Sequence, residues 1–167
     1  MKSKEVILHI TNWLKNYSDA SKTNGFVVGI SGGIDSAVTS TLCALTGKKV
    51  LCLLMPIHQK PNEFDRSLEH SKLLASKFPN ASFCIQNLSN SFDALTNEIP
   101  AEIKTPLSMA NTRARLRMTT LYAFAGAKGM LVISLICISS TDTIGGRSIG
   151  FFAKKGKLMA VIKIITK

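Results

Sequence analysis

The sequence GISGGIDS, residues 29–36, decides the fold predicted for this chain. It follows the apolar, strand-like stretch Phe26-Val27-Val28 and precedes a helix-like stretch over residues 37–45. Glycine tolerates the positive φ angles of tight turns and lets another backbone approach closely. The unpaired N–H groups in the first turn of the helix can then point at an anion. The order of strand, glycine-rich turn and helix therefore predicts a phosphate-binding turn.

The polar side chains of the turn indicate which groups could contact a bound phosphate. Ser31 and Ser36 add hydroxyl donors, whereas Asp35 carries a negative charge that would repel a phosphate. A divalent cation between the carboxylate and the phosphate removes this conflict, because such ions bind both groups. Two common phosphate-binding patterns are absent from residues 29–36. The G-x-G-x-x-G spacing of dinucleotide-binding folds and the G-K-[ST] ending of a P-loop are both missing.

Alternating apolar runs and helical patterns predict the architecture around the turn. Strands are predicted at residues 26–30, 50–55, 81–85 and 131–138, and helices at 34–45, 66–78, 91–99 and 108–125, after an amphipathic helix that begins near Val6. This alternation is typical of an α/β protein with a doubly wound, mostly parallel sheet and helices on both faces. We expect a single domain over residues 1–167. In such sheets, ligands bind at the carboxyl ends of the strands near a topological switch point.

Charge and hydropathy narrow the class of protein. The net charge of +11 is uneven, because residues 1–100 hold ten Lys/Arg and eight Asp/Glu, whereas residues 101–167 hold eleven and two. Such a basic half can attract a phosphate-rich ligand or nucleic acid. The apolar run 130–138 is too short to cross a bilayer, and the amino terminus has no apolar signal region. We therefore expect a cytoplasmic protein that does not associate with membranes.

The turn resembles the pyrophosphate loop, S-G-G-x-D-S, of the ATP pyrophosphatases. These enzymes cleave ATP between its α- and β-phosphates and transfer AMP to a substrate oxygen. The resemblance implies an adenine nucleotide α-hydrolase-like fold, with Asp35 binding Mg²⁺. It also implies that the whole turn binds ATP, through Gly29, Ile30, Ser31, Gly32, Gly33, Ile34, Asp35 and Ser36. NAD synthetases, GMP synthetases, asparagine synthetases and tRNA-modifying enzymes share this loop, so the turn alone does not choose among them.

A second segment makes that choice. Residues 111–118, NTRARLRM, followed by Tyr122, resemble the N-x-x-A-R-x-R-M…Y signature of NAD synthetases. On a helix, Asn111, Arg115, Met118 and Tyr122 share one side, next to a predicted apolar stripe. That stripe consists of Ala110, Ala114, Met118, Leu121, Tyr122 and Ala125. We therefore expect Arg115 to be half-buried and to need an anionic or carbonyl partner. The resemblance implies that this partner is deamido-NAD, and that the segment at Met55 lies near the adenosine of ATP.

The resemblance covers about residues 25–132 and implies an ammonia-dependent NAD synthetase, a ligase that forms a C–N bond. In that family, ATP activates the nicotinate carboxylate of deamido-NAD as an acyl-adenylate and pyrophosphate is released. Ammonia then attacks the acyl carbon to give NAD and AMP. Family members are homodimers with the active site near the subunit interface, so a homodimer is expected. Two alternatives stay open, namely a non-catalytic nucleotide-binding remnant and another pyrophosphate-loop ligase such as a tRNA-modifying enzyme. Against the latter, no second cysteine motif is placed for sulfur transfer, so a nucleic-acid substrate is disfavoured.

The carboxyl-terminal part departs from the family pattern. Thr141 aligns with an ATP-contacting threonine, and Lys154 aligns with a lysine that contacts the deamido-NAD substrate. Gly146 stands where the family has a magnesium-binding glutamate, and Lys157 stands where it has an aspartate. We therefore expect residues 134–167 to be a divergent tail on a truncated domain, through a frameshift or gradual decay. The missing acids would explain the excess of positive charge, and they put catalysis by this chain in question.

Overall fold

The computed structural model describes residues 3–137, 149–150 and 160–165 of the chain, and the side chains of residues 3–133. The helices are α1 (Ser3–Ala20), α2 (Ile34–Leu45), α3 (Pro61–Lys77), α4 (Ser89–Glu98) and α5 (Pro106–Lys128). The strands are β1 (Gly25–Ile30), β2 (Lys49–Leu54), β3 (Ala81–Ile85), β4 (Leu131–Cys137), β5 (Ile149–Gly150) and β6 (Ala160–Ile165). Within these residues, no helix combines the length and the apolarity that crossing a membrane requires.

The strands form one sheet in the order β3-β2-β1-β4-β6-β5. The first four strands of this order are parallel, with Phe26 of β1 opposite Val50 of β2 on one side and Leu131 of β4 on the other. The chain builds outward from β1 to β3 and then crosses back to place β4 beside β1. The switch point therefore lies between the carboxyl ends of β1 and β4, and the predicted α/β fold class is confirmed.

Helices cover both faces of the parallel strands because successive side chains point to opposite faces. Phe26 and Val28 of β1 pack in a core with α1, α2 and α3, whereas Val27 packs in a second core with α4 and α5. Burial on both faces explains why the central strands β1 and β2 are apolar without alternation, whereas the edge strand β3 is only partly buried. Both cores meet at β1, which is covered on each side along its length.

Several predicted helix boundaries are wrong, among them the starts of α3, α4 and α5. Helix α3 begins at Pro61 and not at residue 66, because proline suits the first helical position, where no N–H partner is needed. Helix α5 begins at Pro106, where the hydroxyl of Thr105 accepts a hydrogen bond from the Ser108 amide at 3.2 Å. It ends at Gly129, whose φ of +62° is left-handed. Strands β5 and β6 were not predicted, although residues 160–165 are rich in β-branched side chains.

Replacing Leu53 with alanine tests the core over α4 and α5. Leu53 is 0% exposed, so Leu53→Ala should lower the free energy of unfolding by about 2–5 kcal/mol through lost burial and a residual cavity. The matched control is Leu73→Ala, since Leu73 is 50% exposed and its loss should change stability by less than about 1 kcal/mol. Urea unfolding followed by circular dichroism measures both changes. Similar values for the two variants would contradict the assigned core.

Candidate functional site

The glycine-rich turn lies between β1 and α2 and touches a third element, α3. Gly32 has a φ of +80°, which is unfavourable for residues with a side chain. A Cβ atom at Gly32 would also lie 2.6 Å from the carbonyl oxygen of Glu63 in α3. Both the backbone conformation and this close approach therefore require glycine at position 32.

Two serine hydroxyls hold the shape of the turn. The Ser36 hydroxyl accepts a hydrogen bond from the Ser31 amide at 3.2 Å and donates one to the Gly33 carbonyl at 2.9 Å. The Gly33 amide in turn donates to the Ser31 hydroxyl at 3.3 Å. The two hydroxyl oxygens are 3.2 Å apart. The serines therefore preorganise the turn, a role that sequence reasoning missed when it treated them as donors to a ligand.

The amino terminus of α2 faces the switch point. Gly33 provides no side-chain cap, so the first-turn amides of α2 keep their attraction for an anion. A cavity of about 230 Å³ lies beside the turn between β1 and β4. It is lined by Val28, Gly29, Ser31, Asp35, Ser36, Thr39 and Ile133. A concavity therefore lies where the sequence predicts an anion site, and anion binding there stays a prediction.

Asp35 stands in the first turn of α2, half-buried in the wall of this cavity. Among the described side chains, no group of three histidines, cysteines or carboxylates is arranged to hold a metal ion. The donor set fits Mg²⁺ only in the manner of nucleotide enzymes, where one carboxylate shares the ion with substrate phosphates and water.

A second cavity, of about 340 Å³, lies on the β2 side of the same turn. It is lined by Gly29, Ile30, Ser31, Met55, Gln59, Glu63, Arg117 and Leu121. The side-chain amide of Gln59 donates to the Glu63 carboxylate at 3.4 Å. The turn thus borders these two compartments, one at the β1–β4 boundary and one above β1 and β2, and also a third cavity of about 200 Å³ on the α3 side, next to Arg66 and His70. Gly29 and Ser31 line both compartments.

The arginines of α5 are arranged differently from the prediction. Arg115 is exposed, so the expectation that it is half-buried is wrong. Ala110 and Ala114 of the predicted apolar stripe are exposed as well. The larger side chains Met109, Leu116, Leu121 and Phe124 set the orientation of the helix because they bury more apolar area than alanine. Arg113 and Arg117 therefore face the sheet, and Arg115 faces outward.

Arg117 makes the most specific contact of these arginines. Its Nε donates a 3.0 Å hydrogen bond to the carbonyl oxygen of Met55 at the end of β2. Burial, and then the nearby charge of Arg113, lower the pKa of the Arg117 guanidinium from its usual value. Arg113 itself lies over the ring of Phe92 in α4, with the guanidinium carbon 4.7 Å from the ring centre.

Two histidines that had no predicted role bind neighbouring elements. The Nε2 of His70 in α3 lies 2.8 Å from the hydroxyl of Ser40, which is fully buried in α2. Burial lowers the pKa of His70. His58 follows β2 with a φ of +47°, and its Nε2 lies 2.7 Å from a carboxylate oxygen of Asp93 in α4. Isolated histidines in the sequence carry no signal for such contacts between distant segments.

Four further positions from the sequence analysis lie outside the described residues, namely Thr141, Lys154, Gly146 and Lys157. A larger cavity, of about 730 Å³, lies at the opposite end of the sheet, near Lys49 and Lys128, and contains no predicted site residue. The candidate site is therefore the turn at residues 29–36 with its two compartments.

Parallel strands β1 to β4 in this order, with an uncapped helix amino terminus at the switch point, are typical of α/β proteins that bind nucleotides. The NAD synthase family matches residues 6–167 of the chain. The chain belongs to this family.

Individual relatives agree with this assignment. The NH₃-dependent NAD⁺ synthetase of Methanocaldococcus jannaschii is 31% identical over 166 residues, which are 97% of this chain and 60% of the relative. The enzyme of the same name from Finegoldia magna is 35% identical over 126 residues, covering 75% of this chain and 50% of the relative. The chain thus spans about half to three-fifths of the length of these curated relatives.

Solved structures show the same similarity. The NH₃-dependent NAD synthetase of Campylobacter jejuni, in complex with the nitrate ion, superposes with a TM-score of 0.71 at 29% identity. The NMN synthetase of Francisella tularensis superposes with a TM-score of 0.69, also at 29% identity. Each comparison covers 79% of this chain, and 56% and 53% of the other chain.

Alanine at position 32 tests the requirement for glycine in the turn. Gly32→Ala should lower the free energy of unfolding by about 1–3 kcal/mol, because the backbone is left-handed there and the Cβ would clash with the Glu63 carbonyl. The matched control is Gly33→Ala, where φ is −91° and the nearest atom to the new Cβ is 3.4 Å away. Its effect should be less than about 1 kcal/mol. Chemical denaturation of both variants decides the matter, and equal losses would refute the argument.

The pH dependence of stability tests the burial of His70. Because the folded-state pKa is lowered, the unfolded chain binds more protons as the pH falls below about 6.5, so acid destabilises the fold in this range. His70→Gln removes the titrating group and keeps a polar atom near Ser40. The fall in melting temperature between about pH 7.5 and 5.5 should be smaller for this variant than for the unmodified chain. Parallel melting profiles would contradict the assignment.

Proposed function

We propose that this chain belongs to an enzyme that amidates deamido-NAD with ammonia, using ATP and releasing AMP and pyrophosphate. The observation that supports this most directly is the turn at residues 29–36, which opens α2 at the switch point of a chain in the NAD synthase family. The cytoplasm is the expected location.

In this proposal, the turn binds the phosphates of ATP. The backbone amides of Gly32 and Gly33 and the first turn of α2 attract the negative charge that grows on the leaving pyrophosphate. Asp35 would hold Mg²⁺ beside those phosphates, and the bound ion would neutralise part of their charge. The hydrogen bonds between Ser31 and Ser36 keep the amides in place before the ligand arrives, so little reorganisation is needed during the reaction.

Arg115 is proposed to bind deamido-NAD from the outer face of α5. Among the described residues no carboxylate pairs with it, and its guanidinium suits the phosphate or carboxylate groups of a ligand that lies across that surface. Thr141 and Lys154 are proposed to contact ATP and deamido-NAD respectively, by the same family resemblance. A homodimer is proposed on the same ground, with the outer surface near Arg115 close to the second subunit.

A mononucleotide substrate is a second candidate. The Francisella NMN synthetase and the Campylobacter NAD synthetase are equally similar to this chain, at 29% identity. Both reactions would amidate a nicotinate group, and they would differ in whether the substrate carries the adenylate half. A chain that binds nucleotide without turnover is a third outcome, because the family glutamate that shares the magnesium aligns with Gly146.

A product assay tests the proposed activity. The chain is incubated with ATP, Mg²⁺, ammonia and either deamido-NAD or nicotinate mononucleotide, and the amide product and AMP are followed by chromatography. We expect equal amounts of NAD and AMP from deamido-NAD. Asp35→Ala should reduce the rate by about 100-fold or more, because the charge that holds the metal is lost.

The matched control is Asp65→Ala, which removes an exposed carboxylate from α3 outside the two compartments. Its rate should equal that of the unmodified chain. Amidation of nicotinate mononucleotide alone would replace the proposed substrate with the second candidate. ATP binding without any product would show that this chain is not catalytic.

A further inference from the structure

Three consecutive carbonyl groups at the end of β2 are each fixed by a different partner. The Leu54 carbonyl accepts from the Gln86 amide at 2.8 Å, and the Pro56 carbonyl accepts from the Leu88 amide at 3.0 Å. Between them, the Met55 carbonyl accepts from the Nε of Arg117 at 3.0 Å. Met55 is one residue beyond the last β1–β2 pair and is only 6% exposed. Its carbonyl therefore depends on a donor from a side chain.

The position of Met55 matters to the phosphate-binding turn. A Cβ placed on Gly29 would lie 3.3 Å from the Met55 methyl carbon and 3.3 Å from Leu121. Gly29 begins the turn, and Met55 and Arg117 line the 340 Å³ cavity on the same side of it. A shift of Met55 would therefore change the width of this cavity without entering the β1–β4 compartment that contains Asp35.

Arg117 occupies a place where an apolar side chain would fit at lower electrostatic cost. It is half-buried on the sheet-facing side of α5, and Arg113 lies one turn earlier on the same side. Among residues 3–133, no carboxylate forms an ion pair with it. An unpaired charge in such a position is unfavourable for folding. The guanidinium of Arg117 donates a hydrogen bond to the Met55 carbonyl, and an apolar side chain at position 117 would not provide this bond.

We propose that Arg117 is a positioning residue for the nucleoside part of the nucleotide. By holding the Met55 carbonyl, it sets the distance between the wall of the 340 Å³ cavity and the turn that binds the phosphates. The nucleoside and the phosphates are then held by different groups. This inference rests on the proposed function, in which the ligand is ATP, and on the expectation from the family resemblance that its adenosine lies near Met55. It adds that affinity for the nucleoside part depends on a contact between α5 and β2.

Measuring the binding of two ligands distinguishes the nucleoside end of the site from the phosphate end. The dissociation constants of ATP and of inorganic pyrophosphate are measured by calorimetry in buffer that contains Mg²⁺. Arg117→Met fills the same space without a donor and should weaken ATP binding about tenfold, while pyrophosphate binding changes less than about twofold. Arg117→Lys keeps a single donor and should recover most of the ATP affinity. The matched control is Arg113→Met, which removes a charge from the same face but no bond to β2, and it should leave both constants unchanged.

The outcomes are distinct. An equal loss of both ligands in Arg117→Met, or the same loss of ATP in Arg113→Met, overturns the proposal. If Arg117→Met does not fold, Arg117→Ala, which also removes the donor, decides by the same ratio: a loss of ATP affinity without a loss of pyrophosphate affinity supports the proposal, and an equal loss of both or no loss of either overturns it. An unmodified chain that binds ATP but forms no NAD contradicts the proposed activity and leaves this inference standing. An unmodified chain that binds no ATP contradicts both.

Discussion

The contact between Gly32 and the Glu63 carbonyl is the constraint on which the site depends. At this point α3 lies against the turn, so the turn is confined between two helices and the end of β1. The positive φ of Gly32 directs the chain into α2 in a way that aims the first amides of the helix at the switch point. The serine hydrogen bonds then stabilise a conformation that sterics has already selected.

Much of the fold could be predicted from local patterns. The four parallel strands are short apolar runs between helical patterns, and the glycines of residues 29–36 indicate a tight turn. The strands that were not predicted, β5 and β6, fall in residues 134–167, where a divergent tail was expected and no strand was assigned to the β-branched residues 160–165. Helix starts were misplaced where proline begins a helix, since proline is more often a sign of its end.

The orientation of α5 could not be predicted reliably from the sequence. Its polar and apolar residues are spread around the helix, so periodicity alone defines no clear face. The carboxyl-terminal part of the predicted stripe, from Met118 to Ala125, does pack in the core, whereas Ala110 and Ala114 are exposed. Arg113 and Arg117 face the sheet, where their long aliphatic stems can pack against apolar neighbours. The charge of an arginine alone does not predict such packing. The contact of Arg117 with Met55 joins residues 62 positions apart. Contacts of this kind come from the packing of whole elements and leave no trace in a short window of sequence.

The strand order also sets the sequence of events by which the molecule assembles. Strands β1, β2 and β3 pair with neighbours that are close along the chain, whereas the second edge of β1 stays open until β4 is available, about a hundred residues later. During synthesis on the ribosome, an apolar strand edge that includes Val27 is therefore exposed for the time needed to make α3, β3, α4 and α5. Unpaired apolar edges promote aggregation. The switch point beside the candidate site is thus also the last pair of parallel strands to form.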